Sequence, residues 1–224
     1  MGQRLGIYGG TFDPIHYGHL RVAAAVCEAF ELDRFLLVPA FVPPHKRKAE
    51  LSSPYHRYAM TVLAAQEAEF PAGTLVTAST IELDAPSKPY TIETLGRLKA
   101  EQPEADLFFL MGADSFAEIN LWKEHEKLLT EFNIIVAARP SDEQLGTLHL
   151  SPDCRERVVD LRGSKRPGER DFSSPGIYLT DYVAVDIAAT RIREAVRAGQ
   201  SVEGMVPELV AGYIADYELY RNHA

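Results

Sequence analysis

The residues whose types and spacing could do chemistry begin with Gly9-Gly10-Thr11-Phe12-Asp13-Pro14-Ile15-His16-Tyr17-Gly18-His19. Paired glycines after an apolar run let the backbone approach a ligand closely. Asp13-Pro14 predicts a turn. A helix starting near His16 to Gly18 would aim its unpaired amides at the same place, an anion site by geometry. His16 and His19 stand three residues apart and so share one face of a helical turn. Two imidazoles there can donate hydrogen bonds to phosphate oxygens and to a departing pyrophosphate. Ligation of a metal and plain core packing are the competing readings. The chain lacks the two-His-plus-Glu helix pattern of zinc proteases.

Further candidates follow other apolar runs. His45-Lys46-Arg47-Lys48 reads as a solvated charge run by default. Its place after a buried strand would set His45 and Lys46 beside the first phosphate site. Gly112 and Asp114 also follow a central run, where a carboxylate can accept from ribose hydroxyls or serve as a helix N-cap. Trp122, the single tryptophan, reads on its own as core packing. Arg191 and Arg193 are two apart and do not share a helix face, so only one of them can face a given ligand.

These groups need elements to hold them. Short, fully apolar runs at Leu5–Tyr8, Phe35–Val38, Leu107–Met111 and Ile134–Ala137 predict buried strands, and Leu75–Thr80, Val158–Leu161 and Tyr182–Val185 are further candidates. Helices are predicted at 18–30, 55–68, 92–101, 189–198 and 208–220, the second announced by Ser52, Ser53 and Pro54. Apolar strands alternating with helices imply an α/β, Rossmann-like doubly wound parallel sheet with helices on both faces. Ligands gather at the carboxyl ends of such strands, where the unusual residues of this chain cluster. The stretch 162–176, rich in Gly, Ser, Pro and Arg, reads first as a solvated insertion and second as a loop over an anionic ligand.

The chain's 224 residues, 46% hydrophobic, suffice for a sizeable core, read here as a single domain over 1–224 with a C-terminal helical segment from about 187. A net charge of −9 disfavours broad nucleic-acid binding but leaves room for a local basic pocket. Cys27 and Cys154 are too few for a disulfide framework or a Cys-based zinc site. Without a leader pattern or a long apolar span, the expectation is a cytoplasmic protein with no membrane partner.

The motif from Gly10 to His19 closely resembles the signature of the nucleotidylyltransferase superfamily, whose members carry a His-x-Gly-His core. The resemblance narrows to the bacterial nicotinate-nucleotide adenylyltransferases through Val42-Pro43-Pro44-His45-Lys46, Ser87-Lys88-Pro89-Tyr90-Thr91-Ile92-Glu93-Thr94-Leu95 and Met111-Gly112-Ala113-Asp114-Ser115-Phe116. Leu121-Trp122 and Asp186-Ile187-Ala188-Ala189-Thr190-Arg191-Ile192-Arg193 extend it. The matches run in order over almost the whole chain.

The resemblance implies catalysis by His16, His19 and Arg193. It implies ATP and phosphate contacts from Gly9, Gly10, Thr11, Phe12, Lys46, Gly112, Asp114, Arg139 and Thr190. For the mononucleotide it implies His45, Tyr90 and Thr91, with Trp122 stacking on the pyridine ring and loop amides receiving its carboxylate. It implies adenylyl transfer from ATP to nicotinate mononucleotide, with Mg²⁺ accompanying ATP, no dedicated protein metal site and a possible homo-oligomer. One departure stands out: Ala188 occupies a place where the family pattern has serine, a hydroxyl worth about 1 kcal/mol if its bond is not replaced by water. Adenylyltransferases of phosphopantetheine or nicotinamide mononucleotide are the nearest rivals, and a non-catalytic nucleotide-binding regulator is a more distant one. A dinucleotide-dependent oxidoreductase is discounted because the Gly-x-Gly-x-x-Gly fingerprint is missing after the first strand.

Overall fold

The computed structural model describes residues 2–41, 51–138, 146–147, 149–163, 166–168, 172, 174–183 and 185–221. The strands are β1 (Arg4–Gly10), β2 (Arg34–Pro39), β3 (Leu75–Ala78), β4 (Asp106–Gly112), β5 (Asn133–Ala137), β6 (Val158–Asp160) and β7 (Ile177–Thr180). They form one sheet in the order β3-β2-β1-β4-β5-β7-β6, every pairing parallel. Parallel strands bury both faces, which is why these segments read as continuous apolar runs rather than alternating ones.

The helices are α1 (Tyr17–Phe30), α2 (Pro54–Glu67), α3 (Thr91–Glu101), α4 (Ala113–Ala117), α5 (His125–Glu131), α6 (Pro152–Glu156), α7 (Ala189–Arg197) and α8 (Glu208–Asp216). They divide between two cores. Leu20, Val26 and Phe30 of α1, Met60 of α2, Ile192 of α7 and Val210 of α8 pack with Phe35, Leu37, Phe108 and Ile135 on one face of the sheet. Leu95 of α3, Phe116 of α4, Leu128 of α5 and Cys154 of α6 pack with Ile7, Leu36, Phe109 and Ile134 on the other. The doubly wound fold read from the sequence is therefore the one observed.

Local signals explain several boundaries. Ser53 caps α2, its hydroxyl accepting from the His56 amide at 3.2 Å, with Pro54 at the first position. The last residue of α2, Glu67, caps α8 instead: its carboxylate accepts from the Glu208 and Leu209 amides at 2.6 and 2.8 Å. A carboxylate at a helix N-terminus is favoured by the helix dipole, so α8 docks beside α2.

One strand lies elsewhere than expected. Tyr182, Val183 and Val185 lie outside any strand; the seventh strand is Ile177–Thr180, whose Ile177 and Tyr178 stand opposite Ile134 and Ile135. Two short apolar runs flank Asp181, and only pairing with β5 chooses between them. Within 162–176, two described residues contact the body of the fold: Phe172 is buried, and Arg166 binds the Glu28 carboxylate of α1 at 2.7 Å.

Candidate active site

Strand order reverses between β1 and β4, the two central neighbours. Connections leave such neighbours in opposite directions, opening a crevice beyond their carboxyl ends. Gly9 and Gly10 end β1, and Gly112 ends β4.

The loop after β1 carries the two histidines into this crevice. His16 is the N-cap of α1, in extended conformation, and His19 lies within its first turn. Their rings stack with centroids 3.7 Å apart and planes 27° from parallel. Phe12 and Tyr8 back the pair, Phe12 at 5.1 Å from the His19 ring and Tyr8 at 6.0 Å. His16 is 5% exposed and His19 partly exposed, so the stack has a buried and an open end. Gly18 makes this possible: a Cβ there would lie 2.8 Å from Nδ1 of His16 and 3.3 Å from the Ile187 carbonyl oxygen. Any side chain would displace the ring.

The same measurement places the start of α7 against α1. Arg193 of α7 donates from Nη1 to the Asp13 carbonyl at 2.7 Å and from Nη2 to the Thr190 hydroxyl at 3.3 Å. Arg191 instead pairs at the surface with Asp186, 3.1 Å away. Ala188 is the N-cap of α7 and offers no side-chain cap. The first return bond runs from the Ile192 amide to the Ala188 carbonyl at 3.2 Å, so helix geometry leaves the Ala189, Thr190 and Arg191 amides pointing outward.

The expectation for α1 needs correction here. Its Tyr17 amide donates to the Met205 carbonyl at 3.0 Å, and the His19 and Leu20 amides return to the His16 carbonyl. The open helix end is that of α7 more than that of α1.

Asp13 anchors the loop. It is 1% exposed, its Oδ1 accepting from the Tyr220 hydroxyl at 2.7 Å and its Oδ2 from the Ser52 amide at 3.4 Å. Burial chiefly, with the neighbouring Asp13 carboxylate adding to it, pushes the Tyr220 hydroxyl well above the usual phenol range. Arg57, also 1% exposed, donates from Nη1 to the Thr11 carbonyl at 2.8 Å. Burial lowers its pKa, opposed first by the charge of Asp13.

A second group of predicted residues lies on the β4 side. Trp122 is half-buried, its ring 6.3 Å from that of Phe109, and a Cβ on Gly9 would meet Phe109 at 3.5 Å. Phe109 thus lies between the glycine loop and the tryptophan, which both packs on the core and keeps an open part. Tyr90 is the N-cap of α3, and its ring lies 4.5 Å from the Lys123 ammonium, which pairs with Glu93 at 2.6 Å. That tie brings Tyr90 and Thr91 toward the Trp122 segment. The Tyr90 amide is already engaged by Glu93 at 3.1 Å, so the outward amides of this loop start at Thr91.

Gly112, not Asp114, is the N-cap of α4; Asp114 is exposed in the first turn, so its capping reading falls away. His45, Lys46, Arg47, Lys48 and Arg139 lie outside the described residues. Among the described residues no group of three or more His, Cys, Asp or Glu could hold a metal ion, and no helix is long and apolar enough to cross a membrane. Sequence reasoning missed Arg57 and Tyr220, which shape the loop. Their signal is tertiary: each is an ordinary helix or tail residue until the fold buries it.

Residues 7–195 match the model of the cytidylyltransferase-like family. A probable nicotinate-nucleotide adenylyltransferase of Desulfatibacillum aliphaticivorans is 40% identical over 97% of this chain and 100% of its own length. One of Thermoanaerobacter sp. (strain X514) is 38% identical over 98% and 95%. Among solved structures, Plasmodium falciparum nicotinic acid mononucleotide adenylyltransferase complexed with APC superimposes with a TM-score of 0.70 at 20% identity, covering 97% of each chain. The same enzyme complexed with NaAD gives 0.69 at 21% identity, again covering 97% of each.

Proposed function

The chain belongs to the cytidylyltransferase-like family and, within it, to the nicotinate-nucleotide adenylyltransferases, and from that membership we propose that it joins nicotinate mononucleotide to the AMP part of ATP, giving deamido-NAD and pyrophosphate. The observation that carries the reading is one convergence. The stacked His16 and His19, the open amides of α7 and Arg193 all meet at the end of β1.

The 5′-phosphate of the mononucleotide attacks the α-phosphorus of ATP directly, and the bond to the β-phosphate oxygen breaks as pyrophosphate leaves. A phosphate oxygen is a nucleophile at neutral pH, so no covalent enzyme intermediate and no general base is needed. The protein aligns the two nucleotides and neutralises charge, and alignment alone contributes on the order of 7–11 kcal/mol. His16, His19, Arg193 and the α7 amides stabilise charge on the α-phosphate and the leaving group, with Thr190 at the same helix start. Gly9, Gly10, Thr11 and Phe12 give the phosphates room against the backbone, with Lys46 adding charge. Gly112 and Asp114 receive the adenosine ribose, with Arg139 near the adenine.

On the other side Trp122 stacks on the pyridine ring, the Thr91 amide beside Tyr90 meets its acceptor groups, and His45 serves the same substrate. The substrate is Mg-ATP; the cation travels with the phosphates and water, which is how Mg²⁺ is commonly held. NaAD bound in the Plasmodium falciparum relative supports the same product class.

The product tests this. Purified protein given Mg-ATP and nicotinate mononucleotide should release one pyrophosphate for each deamido-NAD formed, with inversion at a chiral α-thiophosphate. Pyrophosphate without dinucleotide, or retention at phosphorus, would overturn it.

A further inference from the structure

Arg57 has no role in the chemistry just described, yet among the described residues it is the largest fully buried side chain. Its guanidinium spans three separate stretches of backbone. Nη1 donates to the Thr11 carbonyl at 2.8 Å, Nη2 to the Phe41 carbonyl at 3.2 Å and Nε to the Ser52 carbonyl at 3.2 Å. Thr11 lies in the loop after β1, whose next residue packs on His19. Phe41 leaves β2, and Ser52 precedes α2.

Each flank is held a second time. The Phe41 amide donates to Oε2 of Glu82 at 3.4 Å, and the Ser52 amide donates to Oδ2 of Asp13 at 3.4 Å. Phe41 is therefore gripped on both sides of its backbone, by a carboxyl at the N–H and a guanidinium at the C=O. Thr94 also donates to Glu82, at 3.3 Å, tying the grip to α3.

A buried guanidinium is an expensive way to fill space, and an apolar side chain of similar volume often does so at no loss of stability. What only arginine supplies is a rigid planar fork able to meet several carbonyls at fixed angles; a lysine ammonium has no such plane. We infer that Arg57 is a positioning residue for the reaction: opposed by Glu82 across Phe41, it fixes the Thr11 backbone, and with it the phosphate loop, in register with the ends of β2 and the start of α2. The inference rests on the adenylyl-transfer reading for the role of that loop.

The experiment compares wild type with Arg57→Lys and Glu82→Gln, measuring Mg-ATP affinity by calorimetry, kcat and KM for ATP, and thermal unfolding. Misplacing the loop by losing one charge-assisted bond should raise the Kd and KM for ATP about tenfold in Arg57→Lys. For Glu82→Gln the rise should be smaller, a few-fold. Loss of folded protein alone would lower kcat with KM unchanged, so wild-type Kd and KM in a folded Arg57→Lys overturns the inference. If Arg57→Lys does not fold, Glu82→Gln decides: an unchanged Kd for Mg-ATP overturns it. ATP affinity does not depend on the acceptor. A wild type that adenylylates some other mononucleotide would therefore contradict the proposed substrate while leaving this result readable.

Discussion

At the scale of single residues, the geometry of the crevice depends on residues that make room as much as on the histidines they seat. Gly18 is the clearest case, since a Cβ there would lie 2.8 Å from the His16 ring. Gly18→Ala should therefore move the imidazole and lower kcat by roughly a hundredfold, comparable to losing one stabilising donor in the transition state. The melting temperature of the same variant should fall only modestly, because the helix preference of alanine over glycine offsets part of the cost of pushing aside the buried ring. Normal turnover in Gly18→Ala would show that the stacked arrangement is not the working one.

Ala188 is legible in the sequence as a departure, but its meaning is structural: it is the N-cap of α7. Ala188→Ser should add about 1 kcal/mol of stability through a cap, read as a higher melting temperature. Arg57 is the opposite case. In sequence it is an ordinary cation on a helix, and only the meeting of Thr11, Phe41 and Ser52 gives it a task.

At the scale of elements, α7 and the segment after α8 hold the loop after β1 from outside the sheet. Arg193 grips the Asp13 carbonyl and Tyr220 its carboxylate, so two C-terminal residues hold one buried acid. Tyr220→Phe deletes one hydroxyl and leaves a buried carboxylate short of a donor, at a cost of about 1–3 kcal/mol. Denaturant unfolding should show that loss as a lower midpoint with an unchanged slope; an unchanged midpoint would mean the bond contributes nothing.

The elements most legible in the sequence are those longer than two helical turns or apolar on both faces. Strands β1, β2, β4 and β5 and helices α1, α2 and α3 lie within a residue or two of the positions read from pattern alone. Helices α4, α5 and α6 span five to seven residues each, too short to display a period of 3.6. Pattern alone sets the seventh strand on the wrong side of Asp181, because two apolar runs of similar length differ only in which one meets β5.

At the scale of the whole molecule, the sheet order sets the crevice: strand order reverses at β1 and β4, and Gly9, Gly10 and Gly112 end those two strands beside it. That much is foreshadowed by the glycines ending β1 and β4, whereas the buried ties among Asp13, Arg57, Glu82 and Tyr220 are products of folding. They also make stability depend on pH. Burial, the dominant cause, raises the Glu82 pKa above its ordinary 4.5, against the lowering effects of Phe41, Thr94, Arg57 and Lys88. Folded protein then keeps a proton that the unfolded chain has lost. The Glu82 contribution is complete below the unfolded value and fades as pH rises through the folded one. Melting temperatures across mildly acidic pH should fall more steeply with rising pH in wild type than in Glu82→Gln; parallel curves would contradict this.

The most direct test of the central claim is pyrophosphate release with Mg-ATP and each of three acceptors: nicotinate mononucleotide, nicotinamide mononucleotide and phosphopantetheine. Wild type should give its highest kcat/KM with nicotinate mononucleotide, and His19→Ala should lose about a hundredfold or more in kcat. Preference for phosphopantetheine, or full activity in His19→Ala, would contradict the account.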